Sequence, residues 1–227
     1  KLDDAYLRII CTRGGGSVGL DPDLAVDPQL LVVMLELPSL PSRLYETGKS
    51  VCLVSVRRNL KMALDPQAKT GNYMNSVLAL KDARAHGADD AIMLDHEGRV
   101  AEASSANVFV WLDDRWCTPP LEVGILSGIT RKTLLALCRA QGIPAEERVL
   151  WPRDLVRAKE IFLCSSVREL VPVTKLDDVV IGDGRAGPEA RRLTKLFRAE
   201  VARRTRRACA PTRRSRGARR SRRCGRG

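Results

Sequence analysis

Short apolar runs separated by turn residues recur along most of the chain, at 51–56, 91–94, 99–103, 107–112, 160–164 and 171–181. Runs of this length, rich in β-branched residues and bounded by glycine, aspartate or proline, read as strands. Between them, residues at helical spacing predict helices over 72–86, 129–141, 152–157 and 187–201, the first carrying Val77, Leu78 and Leu80. The alternation predicts an α/β (mixed α+β) fold, a mixed sheet with helices. Ahead of it come a strand at 5–12, a turn at Gly14, Gly15 and Gly16, and an apolar strand at 30–37. Two strands do not make a stable layer alone. Pro38 and Pro41 then resist both helix and central strand, which sets a boundary near residue 45. The chain shows no internal repeat.

The net charge of +12 suggests a nucleic-acid partner until its location is considered. Residues 203–227 hold 12 of the 39 lysines and arginines and no acidic residue, leaving 27 basic against 27 acidic residues in the body. The basicity therefore belongs to a tail with almost nothing apolar to fold around, which reads as disordered. Electrostatics would allow such a tail to bind nucleic acid or a membrane surface; the abrupt end of the helical pattern near Ala202 favours a translated out-of-frame end. The seven cysteines form no CxxC pair and no metal-binding spacing, so no metal is expected. With His86 and His96 the only histidines, a Ser-His-Asp triad is poorly supported. No run of about 18 apolar residues and no leader-like start occurs, so a cytoplasmic chain is expected.

Three motifs carry chemistry. Lys69-Thr-Gly-Asn-Tyr73 is followed by Ala101-Glu-Ala-Ser-Ser-Ala-Asn107 and then by Leu126-Ser-Gly-Ile-Thr-Arg131. In this order they supply a lysine between a strand and a helix, a carboxylate among small neighbours, and a glycine-opened helix start suited to a phosphate dianion. Each motif alone would pass for a surface lysine, a surface glutamate and an ordinary helix cap. Together they make the chain, from about Tyr6 to about Phe197, resemble the class IV (fold type IV) pyridoxal-phosphate aminotransferases, closest to the branched-chain amino acid enzymes.

The resemblance implies pyridoxal 5′-phosphate as cofactor and Lys69 as the catalytic residue, forming the Schiff base and shuttling a proton. Glu102 would keep the ring nitrogen protonated by favouring its charged form, while Tyr73 bonds the ring's phenolic oxygen. Leu126 would pack on the ring, and Gly128, Ile129, Thr130 and Ser166 would bind phosphate. Tyr6 and Arg8, with the backbone of Ser166 and Val167, would hold the substrate carboxylate. The implied architecture is a large, barrel-like mixed sheet at 49–202 and a remnant of a smaller α/β domain at 1–41, joined by a linker at 42–48. The family's chains begin well before this one does, so a truncated start, a weaker hold on cofactor and an exposed sheet edge are expected. The implied reaction moves an amino group between a branched-chain or similar amino acid and 2-oxoglutarate, in a homodimer. D-amino acid transfer and aminodeoxychorismate lyase chemistry stay open, the latter disfavoured by Tyr73. A rival of another class is an inactive remnant whose basic tail binds nucleic acid.

Overall fold

The computed structural model describes residues 5–37 and 39–209. Strands β1 (Ala5–Cys11) and β2 (Leu30–Glu36) pair antiparallel, Ala5 opposite Glu36 and Cys11 opposite Leu30. They form a two-stranded sheet of their own. Both faces of this ribbon carry open apolar residues: Leu7, Ile9, Leu30, Val32 and Met34 on one, each more than half exposed, and Leu31, Val33 and Leu35 beside Tyr6 and Arg8 on the other.

The second sheet has nine strands: β3 (Lys49–Leu53), β4 (Asp90–Leu94), β5 (Val100–Ala103), β6 (Asn107–Leu112), β7 (Arg115–Thr118), β8 (Ala145–Glu147), β9 (Glu160–Ser165), β10 (Glu169–Leu176) and β11 (Val179–Val180). Their order is β5-β4-β3-β10-β9-β6-β7-β8, with β11 beside β10. The pairs β3·β4, β3·β10 and β7·β8 are parallel and the others antiparallel, so the sheet is mixed. Parallel neighbours need a crossover. Helix α2 (Met74–Ala85) supplies one between β3 and β4, and α3 (Ile129–Ala140) supplies another between β7 and β8; the short α4 (Pro152–Arg157) lies between β8 and β9.

Side-chain alternation divides the core. In β6, Val108, Val110 and Leu112 enter one cluster while Phe109 enters another, and in β9 Ile161 and Leu163 part from Phe162 and Cys164 in the same way. The first cluster joins Leu94 and Val100 from one end of the sheet to Leu150, beyond β8, at the other. The Val100 amide donates to the Leu150 carbonyl at 2.8 Å. The sheet is therefore curled around this cluster as a half-barrel. On the opposite face α3 and α5 (Pro188–Cys209) cover Phe109, Trp116 and Phe162 through Leu134, Cys138, Leu193 and Phe197.

Three expectations change. β7 and β8 have no counterpart among the strands expected from the sequence. The first is turned back by Asp113 and Asp114, both at positive φ (52° and 55°), in a two-residue hairpin. Residues 42–48, expected as a linker, contain α1 (Leu44–Thr47), tied to the main sheet by Thr174 Oγ1 donating to the Thr47 carbonyl at 2.9 Å. Helix α5 runs on past Val201 to Cys209, into the expected tail. Arginine favours helix, and Arg203 and Arg204 reach back one turn to Glu200 at 2.7 and 2.8 Å. Residues 210–227, the rest of that tail, lie outside the described residues. We propose the division into 1–41 and 49–202 as two domains, supported by the separate pairing of β1 and β2.

The start of α5 is held by Glu160, whose two oxygens accept the amides of Glu189 and Ala190 at 3.0 and 2.7 Å. Gly187 permits this: a Cβ there would lie 2.0 Å from Glu160 Cδ.

Candidate active site

A cavity of about 350 Å³ lies where the Lys69–Tyr73 segment, the β5–β6 connection and the first turn of α3 converge. Lys69, Tyr73, Glu102, Leu126, Gly128, Ile129, Thr130 and Ser166 all line it. Residues from four distant segments thus share one wall.

Lys69 follows a single 3-10 turn, Pro66–Ala68, which Asp65 caps by accepting the Gln67 amide at 3.0 Å. The turn ends on Lys69 itself, at φ 46° and ψ 47°. The left-handed region costs a non-glycine residue about 1–2 kcal/mol, and strain of this kind gathers at functional positions. Among the described residues the Lys69 ammonium makes no hydrogen bond or ion pair. Gln67 secures the loop from beneath: its Nε2 donates to the Ile125 carbonyl at 2.9 Å, and its Oε1 accepts the Ser127 amide at 3.2 Å.

Glu102 is 8% exposed on β5. Its Oε1 accepts from Arg58 Nε at 2.8 Å; its Oε2 accepts the Leu126 amide at 3.2 Å and Asn107 Nδ2 at 3.3 Å. Burial pushes its pKa above the ordinary carboxylate value, against the pull of Arg58, the Leu126 amide and Lys69. A carboxylate offers about four lone-pair directions, so these three donors leave room for another. Arg58 is steadied in turn by Asn75 Oδ1 at 3.3 Å.

Asn107 also donates to the Leu126 carbonyl at 2.7 Å, so both polar backbone groups of Leu126 are held from β5 and β6. Two residues on, Gly128 caps α3 at φ 59° and ψ 129°. A Cβ there would sit 2.1 Å from Asn107 Oδ1. The first amides of α3 have no partner within the helix. Beside them the Thr130 side chain is 5% exposed and its hydroxyl makes no hydrogen bond among the described residues. Arg131, 2% exposed, pins the same turn to β7 through Thr118 Oγ1 and the Pro119 carbonyl at 3.3 and 2.8 Å.

Three expected contacts are not assembled. Tyr6 and Arg8 do not line the cavity, because β1 pairs only with β2 and nothing carries it over the site. Val167 falls one residue beyond the wall, in the β9–β10 turn where Ser166 ends the lining. Conversely, Arg58, Gln67 and Lys132 line it without belonging to any of the expected motifs. Tandem Arg57-Arg58 beside an apolar strand was the one available signal for the first. Gln67 and Lys132 carried none.

Residues 1–176 match the family model for amino-transferase class IV, and the chain belongs to that family. Its fold is that of fold type IV branched-chain aminotransferases. The branched-chain-amino-acid aminotransferase of Pseudomonas aeruginosa is 36% identical over 87% of this chain and 64% of its own length; that of Escherichia coli K12 is 30% identical over the same shares. Among solved structures, the Escherichia coli branched-chain amino acid aminotransferase superposes with a TM-score of 0.82 at 30% identity, covering 86% of this chain and 65% of that one. The branched-chain amino acid aminotransferase of Thermobaculum terrenum, in its PLP-bound holo-form, gives 0.76 at 31%, covering 89% and 64%. The chain spans a little under two thirds of the length of these relatives.

Proposed function

We propose that this chain is a pyridoxal 5′-phosphate-dependent aminotransferase, moving an amino group between a branched-chain or similar amino acid and 2-oxoglutarate. The observation that carries the reading is one cavity holding an unpaired Lys69, a Glu102 with a lone pair to spare, and free amides at the start of α3. These residues fit the cofactor. The unpartnered Thr130 hydroxyl and the free amides of Ile129 and Thr130, on a turn that Gly128 lets close against Asn107, offer donors to a phosphate. Glu102 would accept a hydrogen bond from the ring nitrogen and keep it protonated. Bound there, the cofactor would act as an electron sink for charge left when the substrate Cα loses a proton.

The protein's own part is positioning and proton transfer. Lys69 would hold the cofactor covalently and, once displaced by the substrate amine, its free amine would move a proton from the substrate Cα to the cofactor's imine carbon; its left-handed backbone places it on the cavity wall. Arg58 and Asn107 hold Glu102 in one orientation, so its accepting lone pair is set before the ring arrives. The amides of Ile129 and Thr130, with the Ser166 hydroxyl, would bind phosphate; Leu126 would cover the ring, and Tyr73 would bond its phenolic oxygen. A substrate-carboxylate role for Tyr6 and Arg8 would require β1 to come over the cavity. The resemblance to the family supports a homodimer, and the open apolar faces of β1 and β2 are consistent with further contacts.

Absorbance titration with pyridoxal 5′-phosphate tests the reading. Wild type should turn yellow with a lysine-linked band that Lys69→Ala lacks; equal uptake and equal spectra in the two proteins would sink it. A screen of amino donors with 2-oxoglutarate then tests the substrate class. Turnover of D-amino acids only, or pyruvate release from aminodeoxychorismate, would move the reading to the other branches of the family.

A further inference from the structure

Three cationic side chains line the cavity: Arg58, Lys69 and Lys132. Arg58 is committed to Glu102 and Asn75. Lys69 is the point of covalent attachment in the reading above. Lys132 makes no side-chain hydrogen bond or ion pair among the described residues. Of the two carboxylates in the wall, Glu102 is taken by Arg58, and Asp65 is turned to the Gln67 amide.

The position of Lys132 gives its charge a destination. Its amide donates to the Gly128 carbonyl at 3.1 Å, so its Cα stands one turn above the start of α3. Cα–Cβ bonds in a helix tilt toward the N-terminus, and a long side chain covers the turn before its own. The ammonium is thereby carried over the ground faced by the free Ile129 and Thr130 amides. The Thr130 hydroxyl opens there too, on a side chain only 5% exposed and without a partner. A phosphate monoester brings about two negative charges, whereas a helix start offers about half a positive one. Neutral donors alone leave that anion undercompensated.

We infer that Lys132 is a phosphate-binding residue of this site, its ammonium pairing with the dianion of a phosphorylated ligand held at the start of α3. The inference rests on the cofactor reading above. Lysine suits the task because it acts as a mobile point charge and needs no fixed fork of donors.

The test compares pyridoxal 5′-phosphate with unphosphorylated pyridoxal, titrated by absorbance and tryptophan fluorescence into wild type, Lys132→Ala and Lys132→Arg, with circular dichroism to verify folding. Lys132→Ala should weaken the phosphorylated ligand about tenfold, the weight of one charge-assisted contact partly screened by water. Pyridoxal affinity should stay unchanged, Lys132→Arg should restore wild-type binding, and the salt dependence of the phosphorylated ligand should flatten in Lys132→Ala. Equal affinities in wild type and Lys132→Ala, or an equal loss for both ligands, would overturn the inference while leaving the cofactor reading intact. So would a loss confined to dicarboxylic substrates, which would assign the ammonium to a substrate carboxylate. A wild type that takes up neither ligand would overturn both.

Discussion

Replacing Arg58 by methionine keeps most of the side chain's bulk and removes the cation 2.8 Å from Glu102 Oε1. The two side chains are 15% and 10% exposed, so water cannot take the arginine's place cheaply. Removing one partner of a buried pair costs about 3–5 kcal/mol while the other stays charged. Glu102 can escape that cost by binding a proton, which makes the loss depend on pH. Burial already holds its pKa above the ordinary value, and without Arg58 it rises further. With the folded pKa above the unfolded one, the folded chain retains a proton that the unfolded chain has released. Stability then falls as pH climbs through that window, by about 1.4 kcal/mol per unit. In wild type the window closes at the Glu102 pKa, and in Arg58→Met it extends higher. The difference between the two proteins should therefore be small at the acid end of the titration and grow with rising pH toward the full cost of the broken pair. Urea unfolding at successive pH values measures it. Arg58→Met/Glu102→Gln, with no charge left to strand, should recover most of the loss at high pH. A loss independent of pH, or a double variant no better than the single one, would refute the reasoning.

Two further outcomes can be checked directly. Gly128→Ala places a methyl group 2.1 Å from Asn107 Oδ1 at a positive φ. Backbone strain plus displacement of one of the Asn107 bonds should cost about 2–4 kcal/mol in chemical denaturation, and a loss below about 1 kcal/mol would show that Asn107 yields freely. Burial raises the thiol of Cys138 to about 11 and that of Cys164 higher still. Both should resist an aromatic disulfide reagent at pH ~8 in the folded protein and react on unfolding, with mass mapping of the labelled residues as the readout; labelling of either in the native state would contradict the packing of α3 and α5 over β9.

The sequence revealed the fold wherever period and burial agree. In β6 and β9 every second residue faces a different cluster, and both strands were legible within a residue of their ends. It failed at β7 because Arg115-Trp-Cys-Thr118 mixes charge with core, and the hairpin depends on two aspartates in a left-handed conformation that L-residues seldom take. It missed only the last turns of α5, beyond Val201, because an arginine run reads as disorder in composition, whereas on a helix its members meet a glutamate one turn away. The cavity was legible through its motifs, since Lys69, Glu102 and Gly128 each belong to a pattern with a chemical purpose. The residues that hold those three in place were not. Gln67, Arg58 and Arg131 act across 60, 44 and 13 positions of sequence respectively, and no local pattern encodes a partner so far away.

Gln67 has a consequence for how the site keeps its dimensions. A single carboxamide spans from the loop that presents the lysine to the loop that leads into α3, donating at one end and accepting at the other. Because the span is neutral, no change of protonation and no added salt alters its length. The gap between Lys69 and the start of α3 is thus set by a strut indifferent to charge, so a molecule held there as proposed could change charge at its ends while the frame around it kept one size.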